Sequence, residues 1–302
     1  MDLHSGLPYW IIRNSLWDYF HPLEKDLSTD VVIVGSGITG ALMAHELCHA
    51  GIKCCIVDKR SIATGSSAAS TALLQYEIDV PLCRMAKIIG EENAATAYHA
   101  CLQSISDIKR VLEETGVNAG FEQLPSLFYA SSAADNKLLE QEHEIRQKHK
   151  LPVNLLEKKK IREEYKVKTP GNALINEASA QMDAYRAATG LLAYHIKESG
   201  LKVFTHTSIK ECIETSDGCI MTTDRGHKIK CGYVIIATGF EAGQFLPQKI
   251  MDLTSTYALV SHPVASEHLW PTHCLIWETA DPYLYIRTTD KNRIIVGGED
   301  EI

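Results

Sequence analysis

The sequence predicts an α/β fold in which a parallel sheet forms one domain and a mainly antiparallel α+β arrangement forms another. Residues 30–60 read as an apolar strand, a glycine-rich turn, a helix and a second strand, the order of a βαβ unit. Alternating residues between 202 and 238 predict a β-meander, and further strand patterns follow from residue 257 onwards. The chain has 302 residues, which is long enough for two domains.

The chain begins with an aromatic-rich leader, residues 1–29, which we expect to pack on the first domain. Val31 to Val34 is continuously apolar, as expected of a parallel strand that is covered on both faces. A helix is predicted from about Ile38 to Ala50, and Gly51 stands where a left-handed residue commonly ends a helix. The second strand of the βαβ unit is predicted from Lys53 to Asp58.

Helices dominate the prediction for the middle of the chain, with one strand at 121–131. The predicted helices cover 91–114, 134–150, 157–165 and 182–200. The predicted strands of the meander and of the C-terminal region cover 202–205, 208–214, 219–223, 227–238, 257–262, 274–278, 284–287 and 293–296.

The turn after the first strand has the pattern G-x-G-x-x-G, which points to dinucleotide binding. Gly35 permits the tight turn, Gly37 lets the backbone approach a pyrophosphate, and Gly40 lets the helix pack close to the sheet. The first turn of the helix offers free N–H groups and the positive end of its dipole to the anion. Asp58 lies about 20 residues further on, where a carboxylate binds ribose hydroxyls.

Three features favour FAD over NAD as the dinucleotide. A loop of small and hydroxyl residues, 61–75, follows the acid, where NAD dehydrogenases usually continue directly into a helix. A β-meander leads into a strand that ends in Ala237-Thr238-Gly239. A flavoprotein that is reduced by NAD(P)H normally carries a second G-x-G-x-x-G, and this sequence has one. The alternative is an NAD-dependent dehydrogenase.

These segments resemble the D-amino-acid oxidase superfamily of FAD-dependent oxidoreductases, which includes glycine, sarcosine and γ-glutamylputrescine oxidases. The resemblance rests on DVVIVGSGITGALMAHEL (30–47), DKRSIATGSSAASTALLQYEID (58–79), MDAYR (182–186) and IIATG (235–239). It implies a Rossmann-like, discontinuous FAD-binding domain, residues 1–85 and 175–245, and a substrate domain, residues 86–174 and 246–302. The residues that the resemblance assigns to FAD are Gly35, Ser36, Gly37, Ile38, Thr39, Gly40, Asp58, Lys59, Arg60, Gly65, Ser66, Ser67, Ser70, Thr71, Ser208, Ile209, Ala237, Thr238 and Gly239.

The resemblance also implies oxidation of the C–N bond of an amine or amino acid by hydride transfer to the flavin. An amino-acid substrate needs a cation for its carboxylate, and arginine binds a carboxylate with two parallel hydrogen bonds. Tyr285 and Arg287 are two residues apart on a predicted strand, so both side chains point to one face. We expect them to bind the substrate carboxylate, the alternative being an ordinary ion pair on a sheet face. The 61–75 loop offers neither histidine nor cysteine for a covalent flavin link, so noncovalent FAD is expected.

Composition argues against several other classes of protein. The net charge of −8 disfavours nucleic acid as the main partner. No signal peptide or membrane span is predicted. The sequence has nine cysteines, an odd number without paired spacing, which disfavours a disulfide framework and favours a cytoplasmic location. His45 and His49 are one helical turn apart but have no third ligand nearby, so no metal site is expected.

Members of the superfamily normally continue past the point where this sequence stops, at Gly297 to Ile302. That further segment returns to the first domain and brings a glycine-rich loop to the flavin. The substrate domain is therefore expected to be C-terminally incomplete. The alternative to an active oxidoreductase is a truncated, catalytically inactive FAD-binding protein.

Overall fold

The computed structural model describes residues 3–17, 19–246, 248–249 and 252–301. Its strands are β1 (Leu27–Val34), β2 (Cys54–Val57), β3 (Leu73–Leu74), β4 (Glu122–Tyr129), β5 (Asn154–Leu156), β6 (Ala173–Gln181), β7 (Lys202–Phe204), β8 (Ile209–Thr215), β9 (Gly218–Thr223), β10 (Lys228–Ile236), β11 (Ser255–Val260), β12 (Leu275–Glu278), β13 (Tyr285–Thr288) and β14 (Ile294–Glu301). Its α-helices are α1 (Tyr9–Asn14), α2 (Ile38–His49), α3 (Ser66–Ala69), α4 (Leu82–Ile89), α5 (Glu91–Thr115), α6 (Asn136–Lys148), α7 (Lys158–Lys160) and α8 (Ala184–Ser199). The mixed α/β fold class is confirmed.

The chain divides into two compact units, each discontinuous in sequence. Unit 1 comprises the chain up to Ser70, residues 112–119 and the stretch from Asp183 to Leu253. Unit 2 comprises residues 71–111, residues 120–182 and the chain from Thr254 onwards.

Unit 1 contains a six-stranded sheet with the order β7-β2-β1-β10-β9-β8. Strands β7, β2, β1 and β10 run parallel, and β10, β9 and β8 form the antiparallel meander. On one face of this sheet, Val32, Val34, Cys55, Val57 and Met221 form one hydrophobic cluster, and the alternate residues of β1 and β2 are buried as well. Burial of such side chains stabilises the sheet by roughly 1.5–3 kcal/mol each. The predicted βαβ unit and meander are therefore present, and their strand ends meet at one edge of the sheet.

The leader packs on unit 1 through its aromatic residues. Trp10 of α1 is 2% exposed, and its indole Nε1 donates a hydrogen bond to the Ser70 carbonyl at 2.7 Å. The backbone N–H of Leu23 donates to Thr207 Oγ1 at 3.0 Å. Residues 1, 2 and 18 of the predicted leader lie outside the described residues.

Unit 2 contains an eight-stranded sheet, with the order β11-β14-β13-β12-β4-β6-β3 and with β5 also paired to β6. The pairs are antiparallel except for β4 with β12, which run parallel. Apolar side chains on both faces of the sheet form separate clusters, one around Leu127 and Ile175 and another around Phe128 and Leu174. The sheet of unit 2 is therefore covered on both sides along β4 and β6.

The unit boundaries differ from the predicted domain boundaries at β3 and β6, and residues 112–119 and 246–253, predicted in the substrate domain, belong to unit 1. Leu73 and Leu74 pair with Gln181 and Ala180, so residues 71–85 and 175–182 belong to unit 2. Strand β6 is not predicted from the sequence, because it contains alanine, serine, Asn176 and a glutamate where β-branched residues are usual. Its first four residues are all buried, so the alternation that identifies a half-buried strand is absent.

Candidate functional site

A cleft of about 300 Å³ lies at the carboxyl ends of the parallel strands of unit 1. This edge of an open α/β sheet is where such folds bind ligands. The cleft brings together residues that are far apart in sequence. The predicted cofactor residues that line it are Gly35, Gly37, Ile38, Thr39, Asp58, Lys59, Arg60, Gly65, Ser66, Ser67, Ser70, Ser208, Ile209, Ala237, Thr238 and Gly239. The predicted residues that do not line it are Ser36, Gly40 and Thr71.

The glycine turn is shaped by close backbone contacts. Gly35 has φ +109°, and a Cβ there would collide with the carbonyl oxygen of Ala237. A Cβ on Gly40 would collide with the carbonyl oxygen of Gly35. Gly40 thus packs the first turn of α2 against the strand end, which explains why it does not face the cleft. A Cβ on Gly37 would lie 3.0 Å from Ser67 Oγ, at the wall of the cleft.

The first turn of α2 already contacts an oxygen atom. The backbone N–H of Ile38 donates to Ser67 Oγ at 2.9 Å. Gly37 is the N-cap of this twelve-residue helix and has no side chain to cap it. The helix N-terminus therefore faces a cleft whose near wall is a serine hydroxyl, and such an environment suits a phosphate oxygen.

Asp58 is held in a fixed orientation at the end of β2. One carboxylate oxygen accepts hydrogen bonds from the backbone N–H of Ser36 at 2.8 Å and from its hydroxyl at 2.6 Å. The other oxygen accepts from the N–H of Arg60 at 2.8 Å. Ser36 is fully buried, and its Oγ also accepts from the N–H of Ala63 at 3.2 Å. Ser36 therefore positions Asp58 and the following loop without reaching the cleft itself.

The cleft contains a hydroxyl without a protein partner. Thr238 Oγ1 is buried and has no hydrogen-bond partner among the residues that the structure describes. An unpaired buried hydroxyl costs roughly 1–3 kcal/mol. Its presence at the cleft wall is the pattern expected where a ligand supplies the missing partner.

Sequence reasoning missed one functional candidate, Glu241. It follows the Ala237–Gly239 turn and lines the cleft. Its carboxylate accepts from Lys59 Nζ at 2.6 Å and from Arg60 Nη1 at 2.8 Å. The hydrogen bond with Arg60, reinforced by Lys59, lowers the pKa of Glu241 to about 2 despite its burial. The only sequence signal was an acid just beyond IIATG, and nothing in the sequence links it to residues some 180 positions earlier.

Tyr285 and Arg287 lie on one strand of unit 2, as predicted, but the guanidinium is buried. Arg287 Nη1 donates to the carbonyl oxygens of Thr71, Ala72 and Met182, each at 2.9 Å. The side chain holds the segment after Ser70 rather than standing open to a carboxylate. This arrangement does not favour the predicted clamp, because a substrate would have to displace these carbonyls. The role of Tyr285 stays a prediction.

Glu91, Glu92 and His149 of unit 2 form a group of possible cation ligands among the residues described, with ligand atoms within 4.8 Å. Glu91 is already bonded to Lys148 Nζ at 2.6 Å, which neutralises its charge. His45 and His49, where no metal site is expected, do not belong to such a group among the described residues. None of the described helices has the length and apolar character that a membrane span requires.

The family model for FAD dependent oxidoreductases (DAO) matches residues 30–302 of the chain. The chain belongs to this family. Among curated proteins, a putative Rieske 2Fe-2S iron-sulfur protein, YhfW of Bacillus subtilis, is 23% identical over 232 residues, 77% of this chain. This chain spans 44% of the length of that relative. An aerobic glycerol-3-phosphate dehydrogenase of Staphylococcus epidermidis is 40% identical over 57 residues, which are 19% of this chain and 10% of that protein.

Solved structures share the fold of this family member. L-Proline dehydrogenase from P. horikoshii matches with a TM-score of 0.74 and 21% identity, covering 92% of this chain and 71% of that one. Glycine oxidase from Geobacillus kaustophilus matches with a TM-score of 0.72 and 20% identity, covering 91% and 72%. An L-amino acid deaminase from Proteus vulgaris matches with a TM-score of 0.73 and 17% identity, covering 97% and 73%. At these identities the similarity establishes the fold alone.

Proposed function

We propose that the chain binds FAD noncovalently in the cleft of unit 1 and oxidises the C–N bond of an amine or amino acid. The observation that carries the proposal is the convergence of a glycine turn, the N-terminus of α2 and the unpaired Thr238 hydroxyl on one cleft. Membership of a family of FAD dependent oxidoreductases supports the choice of cofactor and indicates an enzyme. When bound, the flavin supplies the hydride acceptor.

The residues of the glycine turn have the geometry to bind the FAD pyrophosphate. Gly37 leaves the approach to the helix end open, and the positive end of α2 favours a negative charge there. Ser67 Oγ accepts a hydrogen bond from the Ile38 N–H. When a phosphate binds, the Ser67 hydroxyl can instead donate a hydrogen bond to a phosphate oxygen.

Asp58 is the residue that we propose for the adenosine ribose. Its three hydrogen bonds from Ser36 and Arg60 fix the carboxylate and leave it further lone pairs. Glu241 holds Lys59 and Arg60 beside it, so both cations are fixed at the same end of the cleft. These residues would orient the nucleotide without moving a proton.

The residues of the cleft support noncovalent attachment. The described residues that line the cleft include neither histidine nor cysteine, the residues expected to form covalent flavin links. All nine cysteines are free thiols, which supports the proposed cytoplasmic location.

The substrate class is proposed from the names of the similar structures. Proline dehydrogenase, glycine oxidase and amino acid deaminase are each named for an amino acid or for a reaction of one. The shared fold makes an amine or amino acid the first class to test. The two alternatives, an inactive FAD-binding protein and an NAD-dependent dehydrogenase, are separated by the same experiment.

The test is the visible absorbance of the purified chain, followed by anaerobic titration with a panel of amines and amino acids. We expect flavin absorbance that is released as free FAD by denaturation, and bleaching by at least one substrate. Flavin that stays oxidised with every candidate would favour the inactive FAD-binding protein. Binding of NAD(H) in place of FAD would refute the proposal.

A further inference from the structure

A second cleft of unit 1, about 540 Å³, lies at the opposite ends of the parallel strands, away from the glycine turn. It is formed where α2 ends, where β2 begins and where α8 meets β7. Three of its lining residues are cysteines, Cys48 in the last turn of α2 and Cys54 and Cys55 at the start of β2. The sulfur atoms of Cys48 and Cys54 are 3.9 Å apart, with five residues between them in sequence.

We propose that Cys48 and Cys54 form a dithiol site that is reversibly oxidised to a disulfide by small disulfide compounds. Cys48 is partly exposed in the cleft and Cys54 is buried, so Cys48 is the accessible thiol. The sulfur atoms must approach each other by about 1.9 Å to reach the length of a disulfide bond, about 2.0 Å.

Hydrogen bonds favour Cys48 as the attacking thiolate. The contact with the Cys54 thiol, 3.9 Å away, has the largest effect on Cys48 and lowers its pKa; burial opposes this, and the nearby Ser199 hydroxyl lowers the pKa further. The same contact raises the pKa of Cys54, as expected if Cys54 donates its proton to the Cys48 thiolate. A lowered pKa increases the reactive thiolate fraction near neutral pH.

The side chains behind Cys48 form a continuous polar chain. Ser199 Oγ lies 3.1 Å from His195 Nδ1, and His195 Nε2 lies 3.0 Å from His45 Nδ1. Burial, together with His45 and His49, lowers the pKa of His195, which favours the neutral ring. In the tautomer that protonates Nδ1, this N–H donates to Ser199 Oγ and leaves the hydroxyl hydrogen of Ser199 for the Cys48 sulfur. These contacts hold Ser199 in place against Cys48.

The neighbouring cysteine differs in its surroundings. Cys55 belongs to the hydrophobic core of unit 1, and burial raises its pKa to about 12.

Lys53 and Lys202 also line the cleft, while the charge of Glu198 is paired with Lys197 at 2.7 Å. The surroundings of the cleft therefore suit an anionic disulfide such as oxidised glutathione.

The chemistry balances in two steps. The Cys48 thiolate attacks one sulfur of the small disulfide, forms a mixed disulfide and releases one thiol, which takes the proton that Cys48 lost. Cys54 then loses its proton and attacks the sulfur of Cys48, which releases the second thiol. Two protein thiols lose two electrons, and one small disulfide is reduced to two thiols.

The test uses the full chain, reduced, freed of reductant and treated with oxidised glutathione, with peptide mapping by mass spectrometry. The wild type should form a Cys48–Cys54 disulfide without a stable adduct. Cys54→Ser should accumulate a glutathione adduct on Cys48. Cys48→Ser should form neither the disulfide nor the adduct in the peptides that contain the cleft cysteines. Cys212→Ser, which removes an exposed thiol on β8, is the matched control and should behave as the wild type.

A second measurement does not depend on the folding of any variant. Pulsed alkylation of the native wild-type chain should label Cys48 at least tenfold faster than Cys55. Labelling of Cys48 no faster than Cys55, or a mixed disulfide confined to Cys212, would overturn the proposal. So would persistence of the adduct on Cys48 in the wild type, since Cys54 would then not act as the resolving thiol.

Discussion

Replacement of Glu241 by glutamine should destabilise unit 1 in a pH-dependent way. The carboxylate is 7% exposed and contacts Lys59 Nζ at 2.6 Å and Arg60 Nη1 at 2.8 Å. These contacts lower its pKa from 4.5 to about 2. A difference of that size corresponds to roughly 3 kcal/mol of stability at neutral pH. Because the two cations remain 35% and 28% exposed, we reduce the expected loss to about 2 kcal/mol.

The pH dependence of this loss follows from the direction of the shift. A carboxylate whose pKa is lower in the folded state stabilises the fold above its unfolded pKa, and this contribution is lost as the pH falls. The difference between the wild type and Glu241→Gln should therefore be largest at pH 7. It should decrease by more than half by about pH 3, when much of the unfolded chain would already be protonated at this position.

Urea denaturation, followed by fluorescence at several pH values, measures the difference directly. Glu211→Gln on β8, an exposed glutamate of the same unit, is the control and should change the free energy of unfolding by less than about 0.5 kcal/mol at every pH. If Glu241→Gln unfolds at the same urea concentration as the wild type at pH 7, the ion pairs contribute nothing. A loss that is the same at pH 7 and pH 3 would show that its cause is not the charge.

Three further substitutions test the nucleotide cleft and the buried arginine. Gly37→Ala places a Cβ 3.0 Å from Ser67 Oγ and should raise the Kd for FAD about tenfold or more by fluorescence titration, whereas Gly243→Ala, with open space around its Cβ, should not. Thr238→Val removes an unpaired hydroxyl, so the free chain should be unchanged or about 1 kcal/mol more stable while FAD binds about fivefold more weakly. If the Thr238→Val chain without FAD were less stable than the wild type, the Thr238 hydroxyl could not be unpaired in the free chain. Arg287→Met removes the three hydrogen bonds from Nη1 to backbone carbonyl oxygens and should lower the unfolding free energy by about 3 kcal/mol. A selective rise in KM for amino acids, with stability unchanged, would instead support the carboxylate clamp.

The elements around the glycine turn could be predicted because their signals are local. The apolar run of β1, the glycine spacing and the acid after β2 all lie between residues 30 and 60. Helix α5, predicted from 91 to 114, extends in the structure from Glu91 to Thr115, because its apolar residues recur with helical spacing over many turns. Strand β6 could not be found in this way, since its pairing with β4 and β3 decides its structure and its own residues carry little strand preference.

The sequence by itself determined the βαβ unit, the meander and the family, because strand and helix periodicity and a six-residue turn are properties of neighbouring residues. Only the tertiary structure decided which side chains meet across the chain. Glu241 meets Lys59, Arg287 Nη1 meets the Thr71 carbonyl, and Cys48 faces Cys54 beside Ser199. Hydrogen-bond and ion-pair partners are selected by the packing of distant elements against each other, and no local pattern specifies that choice.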